Sequence, residues 1–190
     1  MIIGTPGVGK SRLANALGRK LKLDVIDLGV VVKAKKLYQK YDSTAQSFVI
    51  DNRKVKDYLD TQLMDKDAVI ATHYLDRLIP AARVRLAIVL RLDPRILARR
   101  LRARDWTWMK TWENIESELV DVCLEEAVRV LGKKKVVQID TTGLTHSNVL
   151  AKADSAVRVK RRFPGTRVDW LARYDPVELE RNLRWRNSTS

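Results

Sequence analysis

The 190-residue sequence predicts an α/β protein, a five-stranded parallel sheet with helices on both faces. Two observations carry that expectation. Short apolar runs at 2–3, 23–28, 68–72, 86–91 and 136–139 alternate with longer stretches whose apolar residues recur at helical spacing. The first of these runs passes directly into a glycine-rich loop that opens a helix, the strand–loop–helix order of a phosphate-binding unit. Strands joined through helices run parallel, are covered on both faces, and collect ligands at their carboxyl ends.

The elements follow in order. Ile2-Ile3 is an unusually short first strand. The loop "GTPGVGKS", residues 4–11, fits G-x-x-x-x-G-K-S. Its glycines let the backbone wrap a phosphate without side-chain clashes, and its amides and the helix start supply positive potential. Gly7, Val8 and Gly9 form the cradle, Lys10 should reach the β- and γ-phosphates, and the Ser11 hydroxyl should ligate Mg²⁺. The helix behind the loop carries Leu13, Ala16, Leu17 and Leu21 on one face. After the 23–28 strand, a second helix is expected over 55–64. The 68–72 strand ends in Thr72 and His73, where a phosphate-handling enzyme of this architecture usually ends in an aspartate; Ala71 stands just before. A helix follows Pro94 with Ile96, Leu97 and Leu101, and the longest helix is expected over 111–131 as one piece. Cys123 falls on its apolar stripe with Ile115, Leu119, Val122 and Val130, and reads as a core thiol. His146 reads as a solvated residue near a helix start.

Composition narrows the class. The chain is 45% hydrophobic, enough for a core, and carries a formal net charge of +14. Such a balance favours polyanionic partners, nucleotides or RNA, and equally describes a charged solvated surface. A single cysteine excludes an internal disulfide and fits a reducing cytoplasm. No apolar run reaches the length of a membrane span, and the first residues lack the charged and apolar regions of a signal peptide. No N-K-x-D element accompanies the phosphate loop, which speaks against a guanine-specific switch and for a small kinase.

The segment "RLRARDWTWMKTWENIESEL", 100–119, sets Arg100, Arg102, Arg104 and Lys110 beside three tryptophans. Arginines in a closing segment can neutralise a phosphoryl group in flight and exclude water. A basic solvated helix end is the plainer reading. Trp106, Trp108 and Trp112 can stack on adenine, but packing within the lid explains them better. From Val159 onward the composition shifts. A basic cluster and a Pro-Gly turn lead into an amphipathic stretch with Trp170, Leu171, Val177, Leu179, Leu183 and Trp185, an accessory arm that packs back on the domain or holds a partner.

Taken together, "GTPGVGKS", "VIDLGVVVKAKKLYQKYD", "VIDNRKVKDYLD", "THYLDRLIP", "IVLRLDP", "RARDWTWMKTWENIESELVDVCLEEA", "VVQIDTT" and "VDW" resemble the CINAP-type adenylate kinases, the isoenzyme-six family, and most of all its archaeal members. The loop alone is generic; its ordered combination with "ENIESEL" is specific. The resemblance implies a P-loop NTPase sheet in a kinase domain over 1–158, with an NMP-binding segment near 29–52 and a lid near 103–113, followed by a basic extension over 159–190. It implies ATP contacts at Gly7, Gly9, Lys10, Ser11, Arg12 and Arg104, an AMP site with Gly29, Lys33 and His73, and catalytic roles for Lys10, His73, Arg100 and Arg104. It also implies adenylate kinase and ATPase activities with Mg²⁺, and small-subunit ribosome maturation through a platform ribosomal protein and rRNA. Without the resemblance, His73 reads as a strand-end histidine satisfied by backbone; with it, a role near the γ-phosphate leads.

The chain departs from the family pattern in three places. Ala71 stands where the family has an aspartate, Asp105 and Trp106 replace a glycine and a tyrosine after the lid arginine, and Val30 replaces an acidic residue after Gly29. The change at position 71 weakens metal positioning, so a slow kinase, an ATP-switched assembly factor and a degenerate binding module all compete. Intact Lys10 and Ser11 speak against the last.

Overall fold

In a computed structural model, described for residues 1–64, 66–73, 78–104, 106–159 and 168–184, the five expected strands form one parallel sheet. They are β1 (Ile2–Ile3), β2 (Asp24–Asp27), β5 (Ala68–Thr72), β6 (Ala87–Arg91) and β7 (Val136–Asp140), in the order β2-β5-β1-β6-β7. The two residues of β1 lie at the centre, with Ile2 level with Ala71 on one side and Ile88 on the other. Ile3 is level with Thr72 and Val89, so each residue of the short strand is paired on both sides.

Side chains alternate across this sheet. Ile2, Val69, Ala71, Ile88, Leu90, Val137 and Ile139 join one core, and Ile3, Ile70, Ala87 and Val89 join the other. On the first face lie α1 (Lys10–Leu21), α4 (Pro94–Arg102), α5 (Trp108–Leu119) and α7 (His146–Arg158); on the second lie α2 (Leu28–Ala34), α3 (Asn52–Gln62) and α6 (Val122–Leu131). Most of these helices begin where the sequence supplies a cap. Asp27, Asp51, Asp93, Thr107 and Thr145 each accept a first-turn amide of the helix they precede.

Two expectations need correction, and one element was not expected. The helix expected over 111–131 is two helices. Asp121 takes a left-handed conformation (φ 59°), and the chain crosses there from the core that holds Ile115 and Leu119 to the core that holds Cys123, Ala127 and Leu131. One straight helix cannot bury residues in both cores. The break resets the apolar phase, which leaves Val122 exposed and Val130 only half-buried. The strand expected to reach residue 28 stops at Asp27, because Asp27 caps α2 and Leu28 is already helical. Finally, the segment after α2 contains an antiparallel hairpin, β3 (Tyr38–Asp42) with β4 (Ser47–Ile50), that stands apart from the main sheet. One strand is polar (YQKYD) and the other a short half-buried apolar run (SFVI), so they give no apolar alternation; Phe48 packing on Tyr38 and Tyr41 holds them together.

Residues 168–184 pack back on the first face. Trp170 is completely buried in the same core as Ile2, and Val168 and Leu179 of α8 (Pro176–Leu183) join it. Tyr174 donates to Asp93 (2.7 Å) and Trp108 donates to Glu180 (3.5 Å). Asp105, Trp185 and the basic Pro-Gly stretch lie outside the described residues. Truncating a wholly buried tryptophan costs about 3–5 kcal/mol. In denaturant unfolding Trp170→Ala should show a loss of that size, whereas Val177→Ala, exposed on the same arm, should stay within about 0.5 kcal/mol of the parent.

Candidate active site

The phosphate loop sits between β1 and α1, at the carboxyl ends of the strands. Gly7 (φ 97°) and Gly9 (φ 110°) occupy the left-handed region that other residues avoid. A Cβ on Gly7 would also lie 2.9 Å from Leu97 and 3.0 Å from Leu101, so α4 packs against bare backbone there. Unlike its neighbours, α1 has no side-chain cap: its N-cap is Gly9. Its first amides are therefore left for an anion, the arrangement by which a helix start binds phosphate.

Cations surround this hollow. Lys10 folds over the loop and donates to the Thr5 carbonyl (3.0 Å). Arg100, from α4, donates to the carbonyls of Gly7 (3.1 Å) and Val8 (3.4 Å). Arg104 stacks over Trp106, 4.8 Å from the ring centre, and its charge is felt at Lys10. Ser11 and Arg12 are exposed on the first turn of α1. His73 follows β5 at the floor of the cleft. Gly29 and Lys33 lie exposed on α2, which packs over β2 and β5 on the second face of the sheet. The structure thus gathers Gly7, Val8, Gly9, Lys10, Ser11, Arg100, Arg104 and His73 around one hollow.

A buried polar network lies beneath the loop. Glu118, near the end of α5, accepts from the Thr5 hydroxyl (2.7 Å), Arg91 Nε (2.8 Å), the Leu92 amide (3.1 Å) and Trp170 Nε1 (3.1 Å). Arg91 also donates to the Glu118 carbonyl (2.7 Å) and pairs with Asp121. Burial works against the Arg91 charge, but Glu118 and Asp121 outweigh it and raise its pKa. Sequence reading gave Glu118 no role, though a signal was present. In "ENIESEL" a glutamate shares one helical face with Ile115 and Leu119, so it had to be buried and paired.

The lid tryptophans are engaged in packing, as expected. Trp108 and Trp112 stack at 5.8 Å, and Trp106 and Trp112 pack on the first core. At the head of α5 the Thr107 amide donates to Gln46 (2.8 Å) in the β3–β4 turn, so the segment before α5 touches the hairpin. A cavity of about 580 Å³, lined by Met1, Leu21, Leu23, Ala68, Leu86 and Val157 among others, opens at the opposite, amino ends of the strands. It holds none of these polar groups.

Two pKa values reflect the cleft. Desolvation lowers Lys10 to about 8, with Arg104 adding to the effect and Cys123, Asp27 and Glu118 opposing it. Desolvation by the cleft walls, then repulsion from Lys10 and Lys110, lowers His73 to about 4, so its imidazole is neutral near pH 7. The ring still meets solvent, which makes this a cleft effect rather than a core effect. Cys123 donates to the His73 carbonyl, and burial pushes its thiol up to about 11, so it stays an inert thiol of the site floor.

This fold and loop define a P-loop phosphotransferase. The family model described as "AAA domain" matches residues 1–121. A Methanocaldococcus jannaschii protein called "Putative adenylate kinase" is 36% identical over 180 residues, 94% of this chain and 97% of that one. The "Adenylate kinase isoenzyme 6 homolog" of Schizosaccharomyces pombe is 34% identical over 144 residues, 76% of this chain and 82% of that one. Among solved structures, the shikimate kinase of Bacteroides thetaiotaomicron shares the fold at a TM-score of 0.55 and 16% identity, covering 83% of this chain and 96% of that one. The chain belongs to the adenylate kinase family of these archaeal and fission-yeast relatives.

Polyphosphate favours protonated Lys10. Below pH 8 the empty site already holds the proton, so affinity for a nucleoside triphosphate should be flat. Above pH 8 binding must take up a proton, and affinity should fall by up to about tenfold per pH unit. Titration calorimetry between pH 7 and pH 10 tests this, and Lys10→Arg should flatten the slope.

Proposed function

We propose that the protein transfers the γ-phosphoryl group of ATP to AMP, giving two ADP. The observation that carries this reading is the contact between Thr107 and Gln46, which joins the segment after Arg104 to the β3–β4 hairpin; we read the first as a lid and the second as part of the acceptor segment. Simple hydrolysis needs no second nucleotide and no such hairpin.

In the step itself an AMP phosphate oxygen bonds to Pγ while the bond from Pγ to the β-bridging oxygen breaks. Gly7, Val8, Gly9, Ser11 and Arg12 hold ATP through backbone amides and the helix start. Lys10, Arg100 and Arg104 neutralise the equatorial oxygens in flight. Gly29 and Lys33, on α2, receive the AMP phosphate when the hairpin closes. His73, neutral near pH 7, offers a hydrogen bond to the acceptor without adding charge. The donors on hand fit Mg²⁺: the exposed Ser11 on the first turn of α1 supplies a hard oxygen beside the phosphate hollow. Mg²⁺ bound with ATP would be held by Ser11 and would supply charge neutralisation on the β- and γ-phosphates. Residues 1–158 act as the kinase domain, with acceptor segment 29–52 and lid 103–113, and residues 159–190 as an extension.

A second reading is favoured by the +14 charge and by Ala71. In it the protein works in the cytoplasm as an ATP-switched factor in small-subunit maturation, hydrolysing ATP slowly while it holds a platform ribosomal protein and rRNA. The two readings diverge on AMP. With ATP and Mg²⁺, ADP formation should rise strongly when AMP is added. It should fall by about 10²–10³-fold in Lys10→Ala, the usual cost of losing one charge-stabilising donor. ADP production indifferent to AMP would leave the switch as the better description.

A further inference from the structure

We propose that Asp27 is the carboxylate that orders the water shell of the metal–nucleotide complex in this chain. The inference rests on the nucleotide-binding reading above and extends it to a residue so far placed only as a helix cap.

Asp27 is the last residue of β2, at the carboxyl end of the sheet, level with Ala71 of β5, which is itself level with Ile2 of β1. Residues of this register, among them Val25, Val69, Ala71 and Ile2, face the core beneath α1. Asp27 shares that side, so its carboxylate stands at the end of the sheet from which Lys10 and Ser11 rise. Its charge is felt at both Lys10 and His73, on two other elements of the cleft. The methyl of Ala71 leaves the neighbouring strand end without a competing carboxylate.

The carboxylate is also partly free. Oδ1 caps α2 through a long bond from the Val30 amide (3.3 Å), while Oδ2 has no hydrogen-bond or ion-pair partner among the described residues. Glu118 takes four donors and Asp93 is held by Arg95 and Tyr174, while Asp140, which accepts the Thr142 amide, ends β7 at the opposite edge of the sheet. Mg²⁺ dehydrates reluctantly and is usually held by one or two protein oxygens, the phosphates and several waters. A hydroxyl at Ser11 and a carboxylate reached through water at Asp27 match that demand.

The test is Mn²⁺ binding to the protein–ADP complex, followed by electron paramagnetic resonance, with ADP affinity measured separately in EDTA. Asn caps helices as well as Asp does, so Asp27→Asn should keep its unfolding midpoint and its metal-free ADP affinity. Its Mn²⁺ affinity should fall about 10–100-fold, the usual cost of losing an outer-shell partner. Adding Ala71→Asp to that variant should restore Mn²⁺ binding from the neighbouring strand. Unchanged Mn²⁺ affinity in Asp27→Asn, with ADP still bound, would reduce Asp27 to a cap and overturn the proposal. Failure of the parent protein to bind ADP at all would overturn the nucleotide reading and this inference with it.

Discussion

The buried pair of Glu118 and Arg91 is the constraint on which the other parts of the site depend. Neither side chain meets solvent appreciably. Two charges in that position are tolerable only because each is bonded several times over: Glu118 by Thr5, Arg91, Leu92 and Trp170, and Arg91 by Glu118 and Asp121. Every partner belongs to a different working part. Thr5 is in the phosphate loop, Leu92 leads into the arginine-bearing α4, Glu118 lies near the end of α5, and Trp170 anchors the returning arm. One carboxylate therefore fixes the loop, α5 and the arm relative to the sheet.

The break at Asp121 serves the same arrangement. The chain must bring α5 to the face of α1 and α4, where Arg100 of α4 meets the loop, and then cover the opposite face with Cys123, Ala127 and Leu131. A left-handed residue next to the Arg91 pair makes that crossing within two residues. The ion pair and the crossover reinforce each other, since Asp121 both turns the chain and contributes its carboxylate.

The sheet and the loop were legible in the sequence because their signals are local. The apolar runs sit at the observed strands, and G-x-x-x-x-G-K-S has a fixed meaning between strand and helix. What escaped was set by contacts distant in sequence. The split of the 111–131 helix depends on which face of the sheet each half covers, and helical period alone does not report it. The 38–50 hairpin pairs a polar strand with a four-residue half-buried one, so no alternation betrays it, and Gln46 carried no signal of its touch on Thr107. Asp27 read as part of a strand, because its place level with Ala71 exists only once the strand order is known. Glu118 was the partial case: its burial could be inferred from its helical face, but its partners 27, 52 and 113 residues away could not.

The central claim is that one buried carboxylate holds the loop and the arm as a unit. Amide hydrogen exchange in Glu118→Gln tests it most directly, since an amide keeps the shape but cannot accept from all four donors. The diagnostic amides are Val8, bonded within the loop to Thr5, and Arg173 and Tyr174, both bonded to Trp170. The account predicts that protection falls together at Val8 and at Arg173 and Tyr174. Loss of protection at Arg173 and Tyr174 with Val8 unchanged would contradict it, and would mean that the loop stands without Glu118.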